Sequence, residues 1–252
     1  MCGYFGIVCK PMRKSKLYIS LLILMISNLI NGQSLIGIYG GLNSSVFFDK
    51  SSTPHYSANY ITKNTYLIGL HLKERKDNLL NLAVDFDYLY RNTKIKAHYG
   101  GLGSWINRDL DVDIYSLNLR ILPEIKIGKR FGFYFNIGPY FGFIIKTKKS
   151  GSGSSGDVLG NHASWIESGS AKDVFKGLDF GISSSLGLEI PLTNKFFLLS
   201  DINYGIGLSK ISRGSLGSYA ENINSRNFYI TISVVYKIDE FSLTELIKKY
   251  NR

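Results

Sequence analysis

From about residue 35 to residue 238 the chain repeats one pattern: apolar and polar residues alternate over a short segment, and a turn follows. The clearest copy runs from Asn227 to Tyr236, where every second residue is apolar and most residues between them are polar. Successive side chains of a β-strand point to opposite faces, so the pattern predicts strands with one apolar and one polar face. The predicted strands are 35–47, 61–74, 79–91, 112–127, 131–146, 177–190, 195–209 and 227–238.

Short and long connections alternate strictly between these eight strands. The short connections are 75–78, 128–130 and 191–194, and the long ones, rich in Gly, Ser and Asn, are 48–60, 92–111, 147–176 and 210–226. This order is typical of outer-membrane barrels, which have short periplasmic turns and longer outside loops. We therefore predict an all-β fold, an eight-stranded antiparallel up-and-down transmembrane barrel at residues 33–238. It would lie in the outer membrane of a Gram-negative bacterium, in contact with the membrane lipid.

The polar face of the predicted strands carries charged side chains. In a soluble barrel this face would be the core, where unpaired charges are very costly. The lumen of an eight-stranded barrel is just wide enough to be filled by side chains, and opposite charges can pair there. A soluble antiparallel sandwich, with its charged face in water, is the alternative. The candidate lumen ion-pair network consists of His71, Lys73, Asp85, Asp87, Arg91, Arg120, Glu124, Lys126, Asp179, Glu189 and Asp201.

The first 32 residues have the features of a secretory signal peptide. Basic residues at 13–16 precede an apolar segment at 17–30, and Gly32 is a small residue at a suitable cleavage point. Met12 offers an alternative start. The apolar segment is 14 residues long. A spanning helix needs roughly 20, so we expect cleavage rather than a retained anchor.

Charge and cysteine content narrow the class of protein further. The formal net charge is +11, but the leader carries four basic residues and no acid, and the remaining basic residues are scattered. They do not form the one-sided basic stripe that nucleic-acid binding needs, so we expect no nucleic-acid partner. Both cysteines, Cys2 and Cys9, precede the predicted cleavage point. The mature chain would then contain no disulfide and no thiolate metal site.

Residues 239–252 break the strand pattern. Residues 242–245 (SLTE) resemble a capping box, and apolar residues recur at helical spacing from position 243 to position 250. We predict a short amphipathic C-terminal helix on the periplasmic side of the barrel.

Several motifs in the second half of the chain resemble those of a known family. They are residues 119–126 (LRILPEIK), 133–142 (FYFNIGPYFG), 179–182 (DFGI), 187–189 (GLE) and 204–208 (YGIGL). In these stretches the chain resembles the PorT-like outer-membrane β-barrel family of Gram-negative bacteria, with a proline before a periplasmic turn, a Gly-Pro-Tyr strand and glycine-spaced strands. The resemblance covers about half of the mature chain. It implies a non-enzymatic envelope barrel, and some members of that family are linked to type IX secretion.

Few residues suggest catalytic chemistry. His162 and Ser164 lie two positions apart in the 147–176 loop, and Asp85 and Asp87 form a pair of carboxylates on one strand face. Catalysis needs such groups within hydrogen-bond reach and held by a rigid shell, which a Gly/Ser-rich loop does not supply. Carboxylates in a lumen are better explained as ion-pair partners. The chain also lacks Cys/His clusters with metal spacing and acidic loops typical of Ca²⁺ sites. We expect no enzymatic activity, no cofactor and no metal.

The sequence therefore favours a monomeric, non-enzymatic barrel with a structural, ligand- or partner-binding, or secretion-supporting role. Envelope or secretion proteins, or an extracellular ligand, would bind through the four long loops. Trp105 and Trp165, in the second and third of these loops, are candidate contacts because aromatic residues often anchor interfaces. Two alternatives stay open. One is a barrel enzyme that acts on lipid or peptide through the His162 and Ser164 pair or the two carboxylates. The other is a small-solute channel, which the narrow lumen of eight strands disfavours.

Overall fold

The computed structural model describes residues 33–49, 56–75, 80–128, 131–172, 174–211 and 223–238. The predicted signal peptide at 1–32 and the predicted helix at 239–252 lie outside the described residues, as do parts of the first and fourth predicted loops. Within the described ranges, no helix is long and apolar enough to cross a membrane. The strands are β1 (Gln33–Asp49), β2 (Tyr56–Arg75), β3 (Leu80–Gly101), β4 (Ser104–Ile127), β5 (Gly132–Asp157), β6 (His162–Gly169), β7 (Leu178–Pro191), β8 (Phe196–Gly207) and β9 (Ile223–Ile238).

Eight of these strands form a closed antiparallel ring. Each ring strand pairs with its neighbours in the chain, except that β5 pairs with β7 and skips β6. The ring closes where β1 pairs with β9 over Ser34–Asp49 and Ile223–Ile238. The short β6 lies outside the ring and pairs with the far part of β5, from Lys149 to Gly156. This topology confirms the predicted eight-stranded barrel.

Two of the predicted long loops are mostly strand, so that part of the prediction was wrong. Residues 92–111 form the end of β3 and the start of β4, joined by a tight turn in which Gly103 has a φ of +84°. Residues 147–176 contain the end of β5 and all of β6. The apolar alternation fades in these stretches, but continuous backbone pairing with β4 still holds β5 as a strand. We call this side of the barrel the long-hairpin end and the opposite side the short-turn end.

The resemblance motifs on β4 and β5 meet at a gap in the ladder. Pro123 on β4 and Pro139 on β5 have no N–H to donate, and the pairing between the two strands is interrupted from Arg120 to Glu124. Gly138 makes a close approach in this gap, where a Cβ would lie 2.0 Å from a carbonyl oxygen of β4. The Gly-Pro sequence therefore has a local structural reason.

The outward face of the ring is apolar. Large side chains that a soluble protein would bury are exposed on every ring strand, with Leu42 at 69% and Phe133 at 62%. A continuous apolar belt of this kind is the lipid-facing surface of a membrane barrel, which excludes the soluble sandwich. Aromatic rings mark the two edges of the belt. At the short-turn end Phe196 packs edge-on against Tyr236, with ring centroids 5.1 Å apart.

Four tyrosines mark the edge of the belt at the long-hairpin end. Tyr90 stacks on Tyr115 at 4.9 Å, Tyr66 lies 5.4 Å from Tyr90, and Tyr88 lies 6.2 Å from Tyr115. We call these four residues the tyrosine girdle. Aromatic residues with a polar end are enriched at the boundary between lipid and water. The girdle therefore sets the level at which the sheet leaves the membrane.

Candidate functional site

All eleven residues of the candidate ion-pair network lie on the inner face of the ring, ten of them buried and Lys126 half-buried. Nearest the short-turn end, Lys73 bridges two strands that are far apart in sequence. Its ammonium lies 2.7 Å from Glu124 and 3.0 Å from Glu189. Lys126 also contacts Glu189, at 2.6 Å. In this layer Lys73 lies between the two carboxylates, and Glu189 lies between the two ammonium groups.

The middle of the lumen is organised by Arg120, which is 3% exposed. Its guanidinium contacts Asp85 at 3.1 Å and Asp87 at 3.4 Å. His71 contacts the other oxygen of Asp85, at 2.6 Å. The two aspartates thus share one guanidinium, and each carboxylate is committed to structural contacts. The guanidinium also donates to Tyr39 at 2.8 Å, Tyr229 at 2.7 Å and Asn203 at 3.1 Å.

A third layer lies toward the long-hairpin end. Arg91 contacts Asp179 at 3.0 Å, and the hydroxyls of Tyr140 and Ser225 donate to the same carboxylate at 3.2 and 2.9 Å. Between the second and third layers a cavity of about 20 Å³ remains, lined in part by Arg91 and Arg120. A cavity of this size holds a single water at most. At this level the described side chains therefore fill most of the lumen.

Two rows of residues repeat one arrangement that periodicity alone did not predict. The rows are Tyr39–Gly69–Asp87 on β1, β2 and β3, and Tyr134–Gly187–Asp201 on β5, β7 and β8. In each row the tyrosine ring lies across the glycine, and its hydroxyl donates to the carboxylate two strands away, at 2.9 and 2.5 Å. A Cβ on either glycine would lie within 2.6 Å of the ring. The glycines thus make room for the hydrogen bonds that hold Asp87 and Asp201.

An apolar cluster closes the lumen at the long-hairpin end. The segment after β6 buries Ala171, Val174 and Phe175 almost completely, and the ring of Phe175 lies 6.1 Å from that of Phe47. We call this cluster the apolar plug. Its buried members are Phe47, Ile95, Leu110, Val112, Ile114, Ala171, Val174, Phe175, Ile211 and Ile223. The plug was not predicted, because residues 170–176 have no strand periodicity and lay in a predicted loop.

Beyond the girdle, β2 to β6 continue as a protruding sheet. The end of β3 from Tyr90 to Gly101 extends about 35 Å at the rise of a strand. The sheet carries a groove of about 850 Å³. The groove is lined by Lys96, Ala97, His98, Asn107, Arg108, Asp109, Ser152, Gly153, Ser154, Ser164, Trp165 and Ile166. This is a concave, mixed polar and aromatic surface outside the lipid belt, the kind of surface at which ligands bind.

Trp165 is held in the groove by a charged cluster. Its indole lies against Gly153, where a Cβ would be 2.3 Å from the ring, and its N–H donates to Glu167 at 2.9 Å. Arg108 and Lys149 lie 3.6 Å from the same carboxylate. Burial opposes ionisation of Glu167, but the hydrogen bond from Trp165 and the two cations outweigh it, so the pKa of Glu167 is lowered. Trp165 therefore lies on an ordered strand, not in a loop as predicted.

Trp105 also lies on a strand rather than in a loop, at the start of β4. Its indole faces the ring of His162 on β6, with centroids 6.1 Å apart. Ser164 follows His162 by two positions on the same strand face, and the described contacts include no hydrogen bond between their side chains. Among the residues that the structure describes, no group of three or more His, Cys, Asp or Glu is placed to hold a metal ion.

A closed antiparallel ring with an apolar outer face and an ion-paired lumen defines a transmembrane β-barrel. The chain belongs to the family described as the outer membrane protein beta-barrel domain, which it matches over residues 27–213. It is a protein of the Gram-negative outer membrane, in agreement with the location predicted from its sequence.

Solved structures of outer-membrane proteins are similar to the chain at low sequence identity. OprG from Pseudomonas aeruginosa has 14% identity and a TM-score of 0.49, and the match covers 82% of this chain and 96% of OprG. Neisserial surface protein A has 12% identity and a TM-score of 0.40, with coverage of 79% and 96%. Ail from Yersinia pestis has 11% identity and a TM-score of 0.38, with coverage of 82% and 99%. No curated protein sequence matches the chain. None of these similarities assigns a role to it.

Proposed function

We propose that this chain is a non-conducting, non-enzymatic outer-membrane protein that binds a partner or ligand through its protruding sheet. The observation that carries the proposal is the contrast between the two halves of the molecule. Inside the ring, three layers of ion pairs and the apolar plug fill the lumen. Beyond the girdle, ordered strands present a groove of about 850 Å³ with Trp165 in its wall. A filled barrel is suited to anchoring, and an ordered concave surface to binding.

A trimmed chain tests this proposal. The pairs Lys96 with Asp109 and Gly151 with Glu167 face each other in the ladders, so residues 97–108 and 152–166 can each be replaced by an Asn-Gly turn. This deletion removes the groove and both tryptophans and leaves the ring, the girdle and the plug. Heat-modifiable gel mobility of the trimmed protein would establish that its barrel folds.

Full-length and trimmed chains would be expressed in cells that lack the protein. We expect both to restore the barrier of the outer membrane to a dye, and only the full-length chain to restore attachment to surfaces coated with glycans or matrix proteins. The substitution Trp165→Ala, which keeps the sheet, should weaken the same attachment. If the trimmed chain restores attachment fully, the protruding sheet is not the binding surface and the role is that of the barrel alone.

The enzyme alternative makes a different prediction. Asp85 and Asp87 are committed to Arg120, and His162 faces Trp105. Under our proposal, the Ala substitution of His162, which does not line the groove, leaves attachment unchanged, whereas a catalytic pair would lose activity when either His162 or Ser164 is replaced.

We also propose that the chain lies within the PorT-like branch of outer-membrane barrels, with a secretion-supporting role as the narrower alternative. The support is the Gly-Pro-Tyr strand: Gly138 and Pro139 occupy the ladder gap, and Tyr140 donates to Asp179 in the lumen. Co-purification of type IX secretion components with the full-length chain, and not with the trimmed chain, would support that narrower role.

A further inference from the structure

The outward face of β5 changes from apolar to basic where the sheet leaves the membrane. The β4–β5 register shifts between Tyr115 and Ser116: Lys146 faces Tyr115 and Ile144 faces Ser116, which leaves Ile145 as an extra residue just before Lys146. As a result of this β-bulge, both of these consecutive side chains are exposed. Lys148, also exposed, follows on the same face. Lys146 lies at the level of the tyrosine girdle, because its ammonium is 5.7 Å from the ring of Tyr115.

The lysines of β5 differ from those of β2 and β3 at the same end of the barrel. Lys63 is paired with Asp111 at 2.6 Å, and Lys94 with Asp109 at 2.9 Å. In the part of the chain that the structure describes, no carboxylate is paired with Lys146 or Lys148. Asp113 faces Lys148 in the ladder, but its carboxylate accepts hydrogen bonds from Tyr90 and Asn92, each at 2.7 Å.

Two more exposed lysines reach the same arc of the rim. The amide of Ile144 on β5 donates to the carbonyl of Gly177 at 2.9 Å, and the amide of Lys176 donates to the carbonyl of Ile211 at 2.7 Å. These backbone contacts bring the segments that carry Lys176 and Lys210 beside the outer end of the β5 wall. We call Lys146, Lys148, Lys176 and Lys210 the lysine arc.

The surface below the arc is apolar. Phe143 and Ile145 on β5, Leu178 on β7 and Leu208 after β8 point outward and are 45–55% exposed. These residues end the lipid-facing belt, and the lysine arc begins just beyond it. A molecule that covers both surfaces must combine hydrocarbon chains with a negatively charged head.

We propose that the lysine arc is a binding site for an anionic, phosphate-bearing lipid of the outer leaflet. Its phosphate groups would lie against the ammonium groups of Lys146 and Lys148, and its acyl chains against Phe143, Ile145 and Leu178. Charge complementarity carries this assignment, since basic clusters at the edge of a membrane attract anionic headgroups. The site goes beyond the proposed function, because it concerns the lipid contact of the barrel and is separate from the groove.

The test compares two double substitutions that remove the same charge at the same end of the barrel. K146Q/K148Q removes lysines of the arc, and K63Q/K94Q removes lysines that are already ion-paired. Delipidated protein in detergent is titrated with bis-phosphorylated lipid A, with dephosphorylated lipid A and with inorganic phosphate, and bound lipid is counted by native mass spectrometry. Heat-modifiable mobility shows that each variant is folded.

We expect K146Q/K148Q to bind bis-phosphorylated lipid A about thirtyfold more weakly, because two surface lysines near anionic lipid typically contribute this much to the binding affinity. The K63Q/K94Q variant should bind within about threefold of the wild type, and dephosphorylated lipid A should bind weakly to all three. Inorganic phosphate at millimolar concentration should not displace the lipid. Equal loss in both double variants would mean a diffuse charge effect, and unchanged binding by K146Q/K148Q would mean no site; either result overturns the proposal.

Discussion

Arg120 is the residue on which the lumen depends most. Its guanidinium contacts the carboxylates of Asp85 and Asp87 and donates hydrogen bonds to the hydroxyls of Tyr39 and Tyr229. Replacing it with Leu leaves two buried carboxylates without their shared cation, so we expect R120L to lower the free energy of unfolding by about 3–5 kcal/mol. Urea titration in detergent, followed by heat-modifiable gel mobility, measures this loss.

Two further variants make the Arg120 prediction specific. In R120L/D85N/D87N the unpaired charges are removed with the cation, so a large part of the lost stability should return. In K63Q, which breaks the exposed pair with Asp111, the change should stay below about 1 kcal/mol. A loss in K63Q as large as that in R120L would show that the lumen network is not the source of stability.

Ionisation of Glu167 makes the stability of the protruding sheet depend on pH. Its pKa is lowered in the folded protein, so its ionised form stabilises the sheet. That contribution is fully present above the usual Glu pKa of about 4.3. It is lost as the pH falls through the lower, folded-state pKa. Because the chain has two tryptophans, W105F leaves Trp165 as the sole reporter.

In the W105F protein, we expect Trp165 fluorescence to be constant from pH 7 to about 5 and to change below the usual range of Glu, as the N–H loses its carboxylate acceptor. The W105F/E167Q protein should show no such transition. A transition of equal size in both proteins would assign the change to another group.

At the scale of the elements, the tyrosine–glycine rows explain why glycine recurs on the inner face. In G187A the new Cβ would meet the Tyr134 ring at 2.3 Å and the Asp201 carboxylate at 2.5 Å. We expect overpacking and loss of the Tyr134 hydrogen bond to cost about 2–4 kcal/mol together. The control is G205A, also on the inner face, where the nearest atoms would lie 3.8 Å from the Cβ.

G205A should change the free energy of unfolding by less than about 1 kcal/mol. Both variants are measured by urea titration of the folded, heat-modifiable band. Equal effects at the two glycines would mean that the close approach of the ring does not decide the cost.

The alternation of the sequence was sufficient to predict the ring strands and which residues face the lumen, because a membrane requires an apolar outer face. It failed for 94–101 and 150–157, where neither face must be apolar and pairing with neighbouring strands maintains the strand. To predict the Tyr39–Gly69–Asp87 row one must know the register between three strands, and hydrophobic periodicity carries no information about register. The burial of Phe175 depends on contacts with residues far away in sequence, such as Phe47.

For the whole molecule, the main consequence of the plug and the ion-pair layers is that they block the lumen at several levels. A solute that crosses the barrel must displace the plug around Phe175 and then pass the layers held by Arg91, Arg120 and Lys73. Because these closures lie in series, we expect that the removal of one does not open a path. This differs from a channel with a single gate, in which one substitution at the gate would be enough.

We therefore expect the wild-type protein to give no conductance steps in planar bilayers. F175A, which removes only the centre of the plug, should be equally silent, since the ion-pair layers still fill the lumen. K73S/R91S/R120S/F175A, which weakens all four closures together, is the variant in which small conductance steps are expected. An open porin inserted in the same bilayers shows that the assay detects conductance. Regular steps from the wild-type protein, or from F175A alone, would contradict serial closure and would favour the channel alternative over an anchored binding protein.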